Sequence, residues 1–206
     1  MRCLLLNSIV ALLLYGCASE YRNLQITQSN DSACLQKFIP SFHVDWYNAS
    51  VDVVGKHLSG LLLFKTIADS SVRIVFTNEV GVTFFSFEFT KKGDFTVHQI
   101  LSQLDKKPVI ELLKKDFELI LMKGAREKLK TFVQKNEIFY GRTRKKETDY
   151  FITDKDCASL LRIEKASKRK KKTEVLFIGR QQSVPDSVYL KHFTFSMQIA
   201  LKKLQR

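Results

Sequence analysis

Between residues 42 and 101, apolar and polar positions alternate with a period of two, the spacing of strands with one buried face. Phe42, Val44 and Trp46 share one face of a run that ends at Gly55. Residues 57–66 (HLSGLLLFKT) form a second run, and 67–71 read as a hairpin tip. Val72, Ile74 and Phe76 lie on one side of a third run, opposite Arg73, Val75 and Thr77. After a turn at 78–81, Phe85, Phe87 and Phe89 share a face, against Phe84, Ser86 and Glu88. Residues 91–94 turn the chain again, before a strand over 95–101.

The period then changes to that of a helix. Pro108 suits a first helical turn, and Asp105 is positioned to cap it. Val109, Ile110, Leu113, Phe117, Ile120 and Leu121 make one apolar stripe, and Gly124 ends it. Residues 126–134 read as a second short helix or a loop. Strands return near 137–143, 147–153, 158–166, 173–181 and 188–201. The last has the clearest alternation, with Phe193, Phe195, Met197, Ile199 and Leu201 on one side. The prediction is a mainly β (α+β) domain of about 9–11 strands. A long antiparallel sheet curls into a half-open barrel, and the helix at 108–123 plugs its concave side.

The N-terminus reads differently. Arg2 precedes an almost wholly apolar run, residues 3–14 (CLLLNSIVALLL). Such a run fits a signal peptide and is too short to span a bilayer stably. Leu14, Tyr15, Gly16 and Cys17 follow, and this stretch resembles the lipobox of bacterial lipoproteins. The resemblance implies cleavage before Cys17 and lipid on its thiol; the competing reading is an ordinary secretory signal with an incidental cysteine. The expected organisation is a signal peptide over 1–16, the lipidated cysteine and a polar tether over 17–36, and one β domain over 37–206.

Lys and Arg number 34 against 21 Asp and Glu, a net charge of +13. The basic residues cluster at 142–146 and at 165–172, where six of eight are basic. In an exported, membrane-held protein such clusters suit anionic headgroups, lipopolysaccharide phosphates or acidic partners better than nucleic acid. Arg142, Arg144, Lys145, Lys168, Arg169, Lys170 and Lys171 are the candidate contacts. The bland alternative is solvated hairpin tips. With Cys3 lost and Cys17 acylated, Cys34 and Cys157 are left as a possible disulfide. The four histidines lack ligand spacing, so no metal or other cofactor is expected. No nucleophile elbow, phosphate loop or persuasive Ser/His/Asp spacing occurs, which leans away from an enzyme. An envelope hydrolase with an unrecognised site stays open as a third reading.

If the curled sheet encloses an apolar hollow, its candidate lining is Phe76, Phe85, Phe87, Phe89, Ile110, Leu113, Phe117, Phe193, Phe195 and Met197. The same side chains would equally serve as plain core. The element order, a lipobox, strands, an amphipathic helix and more strands, resembles the LolA/LolB superfamily of lipoprotein carriers and acceptors. Residues 58–65 (LSGLLLFK) resemble that family's early Gly-containing strand, and 73–85 (RIVFTNEVGVTFF) resemble small lipoproteins of Bacteroidota. The resemblance implies a monomer, lipid-anchored to the outer membrane, that binds acyl chains or lipoproteins; Ala18, Ser19, Glu20 and Tyr21 lack the dense acidic run that resembles surface-export signals, which favours the periplasmic face. A filled-core interaction subunit of an envelope assembly is the alternative. In cells fed labelled palmitate, the wild-type chain is expected to take up label and Cys17→Ser to take up none; label on both would remove the anchor.

Overall fold

The computed structural model describes residues 20–27, 33–181 and 184–205. Residues 1–19, with the apolar run and Cys17, lie outside them. Among the described residues, thirteen antiparallel strands form one sheet that is not closed. They are β1 (Gln25–Ile26), β2 (Val44–Val53), β3 (Lys56–Thr66), β4 (Val72–Thr77), β5 (Thr83–Phe89) and β6 (Phe95–Ile100), then β7 (Lys130–Gln134), β8 (Glu137–Arg144), β9 (Glu147–Asp154), β10 (Leu160–Ser167), β11 (Lys171–Gln181), β12 (Val184–His192) and β13 (Met197–Lys203). The order across the sheet is β1-β7-β8-β9-β10-β11-β12-β13-β2-β3-β4-β5-β6. One α-helix, α1 (Lys107–Ile120), connects β6 at one edge to β7 near the other.

The sheet must curl. Flat, thirteen strands would span roughly 58 Å, whereas a 14-residue helix is about 21 Å long. Yet α1 reaches both Phe85 and Phe87 on β5 and Arg144 on β8. The inner face, the one against α1, carries one continuous core drawn from both halves of the sheet. Gly60 marks a close approach on β3: a Cβ there would lie 2.0 Å from the Thr77 carbonyl oxygen of β4. Only a residue without a side chain lets the two strands meet at that point.

Three local expectations are corrected. Residues 130–134 form β7 rather than a helix or loop, because the Thr131, Phe132, Val133 run favours a strand once β8 is beside it. The helix cap is Lys106, with no side-chain cap hydrogen bond, so Asp105 does not cap. The strand expected over 188–201 is two strands, β12 and β13, joined at residues 193–196. Val188, Leu190 and His192 are buried before this loop, and Met197, Ile199 and Leu201 after it. Buried positions thus switch from even to odd. Phe193 and Phe195 fall on the odd series, so in sequence they read as its beginning.

Within the segment read as a tether, Tyr21 and Leu24 pack on the outer face and Gln25–Ile26 add an edge strand beside β7. Tyr21 stacks on Tyr150 with ring centroids 5.1 Å apart and donates a 2.6 Å hydrogen bond to Glu164. A 3-10 helix (Ala33–Phe38) then buries Leu35 and Phe38 in the core. Cys34 is joined by a disulfide to Cys157 in the β9–β10 turn, with Cα atoms 6.3 Å apart. The bond closes a sequence separation of 123 residues. Cys34→Ser with Cys157→Ser is expected to cost about 2–5 kcal/mol of unfolding free energy, read from urea midpoints. Unchanged midpoints would show that the bond adds nothing.

Candidate functional site

The inner face has two chemically different halves, and α1 lies across both. On β3–β5 it is aromatic. Phe64, Phe76, Phe85, Phe87 and Phe89 are buried, and Phe117 of α1 enters among them. Its ring centroid is 6.2 Å from Phe64, 5.7 Å from Phe85 and 6.4 Å from Phe87, all edge-on. Such T-shaped contacts add to plain area burial.

On β8–β12 the inner face is polar. Strand register sets Arg142 opposite Asp149, Asp149 opposite Lys165, Lys165 opposite Thr173, and Thr173 opposite His192. The result is a transverse row across five strands, each member no more than 8% exposed. Lys165 is ion-paired with Asp149. Arg142 donates from Nε to Glu127 (2.6 Å) and from Nη1 to the Lys123 carbonyl (2.9 Å), closing down the segment after α1. Gly124, at φ +94°, makes room for that guanidinium: a Cβ there would lie 2.4 Å from it.

Helix α1 sets Asp116, 1% exposed, onto this row. His192 Nε2 is 3.0 Å from its Oδ2, and His192 Nδ1 is 3.2 Å from the Thr173 hydroxyl. A neutral imidazole with its proton on Nε2 satisfies both: it donates to Asp116 and accepts from Thr173. Phe195 covers the ring at 4.7 Å. Burial pushes the Asp116 carboxyl above its ordinary range, partly offset by the His192 hydrogen bond. Burial likewise raises Glu118 and lowers Lys123. At the rim, Lys172 (2.6 Å) and Lys115 (3.3 Å) both reach Glu147, and the Lys172 hydrogen bond holds its carboxyl below the usual range. Arg144 reaches Glu118 at 3.4 Å.

An Asp–His–hydroxyl chain has the order of an acyl-transfer triad. Thr173, however, is 3% exposed, which keeps a substrate carbonyl out of attack distance. The chain works as a latch for α1.

The sequence-predicted residues divide as follows. Phe76, Phe85, Phe87, Phe89, Leu113, Phe117 and Met197 meet in the one core, with Ile110 half-buried. Phe193 and Phe195 do not line that interior: they are 46% and 37% exposed in the β12–β13 loop, outside the strand alternation that would have buried them. Arg142 is not a headgroup contact, because β8 turns it inward to Glu127. Lys171 is half-buried and donates to Glu174 (2.7 Å). Lys145, Lys168, Arg169 and Lys170 are exposed at hairpin tips. Shallow hollows of about 310, 280 and 330 Å³ lie on the outer face and at the β1 edge, none lined by the aromatic cluster. The latch residues Asp116, Thr173 and His192 went unread. One signal was present: Asp116 interrupts the apolar stripe between Leu113 and Phe117.

No protein-family model matches the sequence, and no curated protein sequence does. Solved structures do. A LolA-superfamily protein from Nitrosomonas europaea superposes with a TM-score of 0.50 at 7% identity, covering 85% of this chain and 92% of that one. The fold is LolA-like. A DUF1329 family protein from Desulfovibrio piger matches equally, with a TM-score of 0.50 and 11% identity over 88% and 92% of the two chains. At these identities the likeness concerns the LolA-like fold alone.

His192→Ala would leave the Asp116 carboxylate buried without its partner, at an expected cost of about 3 kcal/mol. A raised Asp116 pKa means that, between the ordinary aspartate value and the raised one, the folded state holds more protons than the unfolded chain. Stability therefore falls as pH rises through that window. Asp116→Asn should flatten this slope, measured by urea unfolding across mildly acidic pH; an unchanged slope would refute the assignment.

Proposed function

We propose that this chain is a membrane-anchored lipoprotein of the bacterial envelope that takes up acyl chains of lipidated molecules between α1 and the inner face of its sheet. Lipid on Cys17 holds it to the outer membrane on the periplasmic side. The observation that carries the reading is the unequal seat of α1. Phe117 occupies an aromatic bed that an acyl chain could fill in its place, gaining about 0.8 kcal/mol for each buried CH₂. The rim pairs Arg144–Glu118 and Lys115–Glu147 have cations about half exposed. Pairs of that kind contribute only about 0–1 kcal/mol each. These rim pairs on β8 and β9 add little beside the buried Asp116–His192 bond, which holds α1 to that half of the sheet while the aromatic side admits the guest chain. Binding of this kind needs no covalent chemistry. The LolA-like fold and the lipobox at Cys17 support the same reading.

A second reading has its own observation. Phe117 already meets three rings, as it would in the permanently filled core of an interaction subunit. Residues 18–206, purified without lipid, distinguish the two. A carrier is expected to bind a fluorescent fatty acid and a diacylated peptide with 1:1 stoichiometry by native mass spectrometry. Absence of both signals would sink the carrier reading and leave the filled-core subunit.

A further inference from the structure

We propose that one end of the sheet docks on an anionic bilayer, with Phe193 and Phe195 entering the interface and the flanking lysines and arginines meeting lipid phosphates. Register places four hairpin tips side by side at that end. Arg144 pairs with Glu147 around the β8–β9 tip, and Glu147 pairs with Ser167 at the end of β10. Ala166 pairs with Lys171 around the β10–β11 tip, Thr173 with His192, and Met197 with Val53 at the β2–β3 tip.

These tips combine two properties. Phe193 and Phe195 are 46% and 37% exposed, and Val54 on the adjacent tip is 72% exposed. Val54 N–H donates to the Ser196 carbonyl, so the two tips are fastened together. Around them stand exposed Lys145, Lys168, Arg169 and Lys170. Lys171 and Lys191 place their ammonium groups 5.1 and 5.5 Å from the Phe193 ring centroid. Of the nearby carboxylates, Glu147 and Glu174 are held by lysines and Asp52 by His57, and the cations of the tips outnumber them, which leaves the end basic. Aromatic rings framed by cations match the bilayer interface, where rings sit at headgroup level and each basic residue adds attraction to anionic lipid. A soluble polyanion would use the cations and leave the rings without a role.

Residues 18–206 include every described element and carry no anchor, so co-sedimentation with vesicles tests the surface separately from Cys17. The chain is expected to bind phosphatidylcholine vesicles containing phosphatidylglycerol, and to release at high salt. Phe193→Ser with Phe195→Ser should weaken binding about tenfold. Lys168→Gln, Arg169→Gln and Lys170→Gln together should weaken it roughly a hundredfold. Circular dichroism checks the folding of each variant, and the single Phe193→Ser variant replaces the double one if that unfolds. Equal binding to neutral vesicles, no binding to anionic ones, or variants that bind like wild type overturns the proposal. So does binding only to heparin, which would assign the basic tips to a soluble polyanion.

Discussion

The seat of α1 on the inner face is the contact on which the rest of the structure depends. A thirteen-stranded sheet with free edges has no internal reason to stop curling at one radius. Here α1 spans the opening and makes unlike contacts with the two halves. Phe117 is buried among rings of β3 and β5, while Asp116, one residue earlier, is bonded to His192 of β12. Ring burial is non-directional and tolerates sliding. The Asp116–His192–Thr173 chain does not, since each bond has one geometry. Apolar burial holds the helix down, and the polar chain decides where it sits.

The transverse row makes that arrangement costly to alter. Five polar side chains on successive strands, buried on the inner face, would each be penalised if left unsatisfied. They are satisfied by one another, by α1 and by the segment that follows it. The same row explains why α1 rather than water covers this half of the sheet. Elsewhere the Cys34–Cys157 disulfide ties the 3-10 helix to the β9–β10 turn, so both chain segments that close over the core are fastened to the second half of the sheet. The first half holds α1 by ring packing and by the Lys114 ammonium over the Phe95 ring of β6, and it is there that a guest chain could compete.

The outward-facing side tells a complementary story about charge. The two basic clusters of the sequence do not share a fate. Arg142 is drawn inward to Glu127, and Lys165 to Asp149, while the tip residues between β10 and β11 remain exposed. A count of basic residues cannot separate these, because strand parity and the nearest carboxylate decide which cations stay in water. Phe193 and Phe195 show the same effect in reverse: apolar residues left outside because the loop that carries them has no core above it.

What the sequence determined by itself was local. Period-two alternation in residues 42–101 specified strands, and the 3.6-residue stripe from Val109 to Ile120 specified the helix, because each depends only on spacing along the chain. The resemblance to LolA/LolB carriers anticipated the fold through the order of those elements. The sequence also carried one unread sign, an aspartate inside an apolar stripe. The tertiary structure alone decided which strands became neighbours, and with that the row from Arg142 to His192, the partner of Asp116 and the break at 193–196. Each is a property of register between strands, and register is set by the closing of the whole sheet, so no window of the chain contains it.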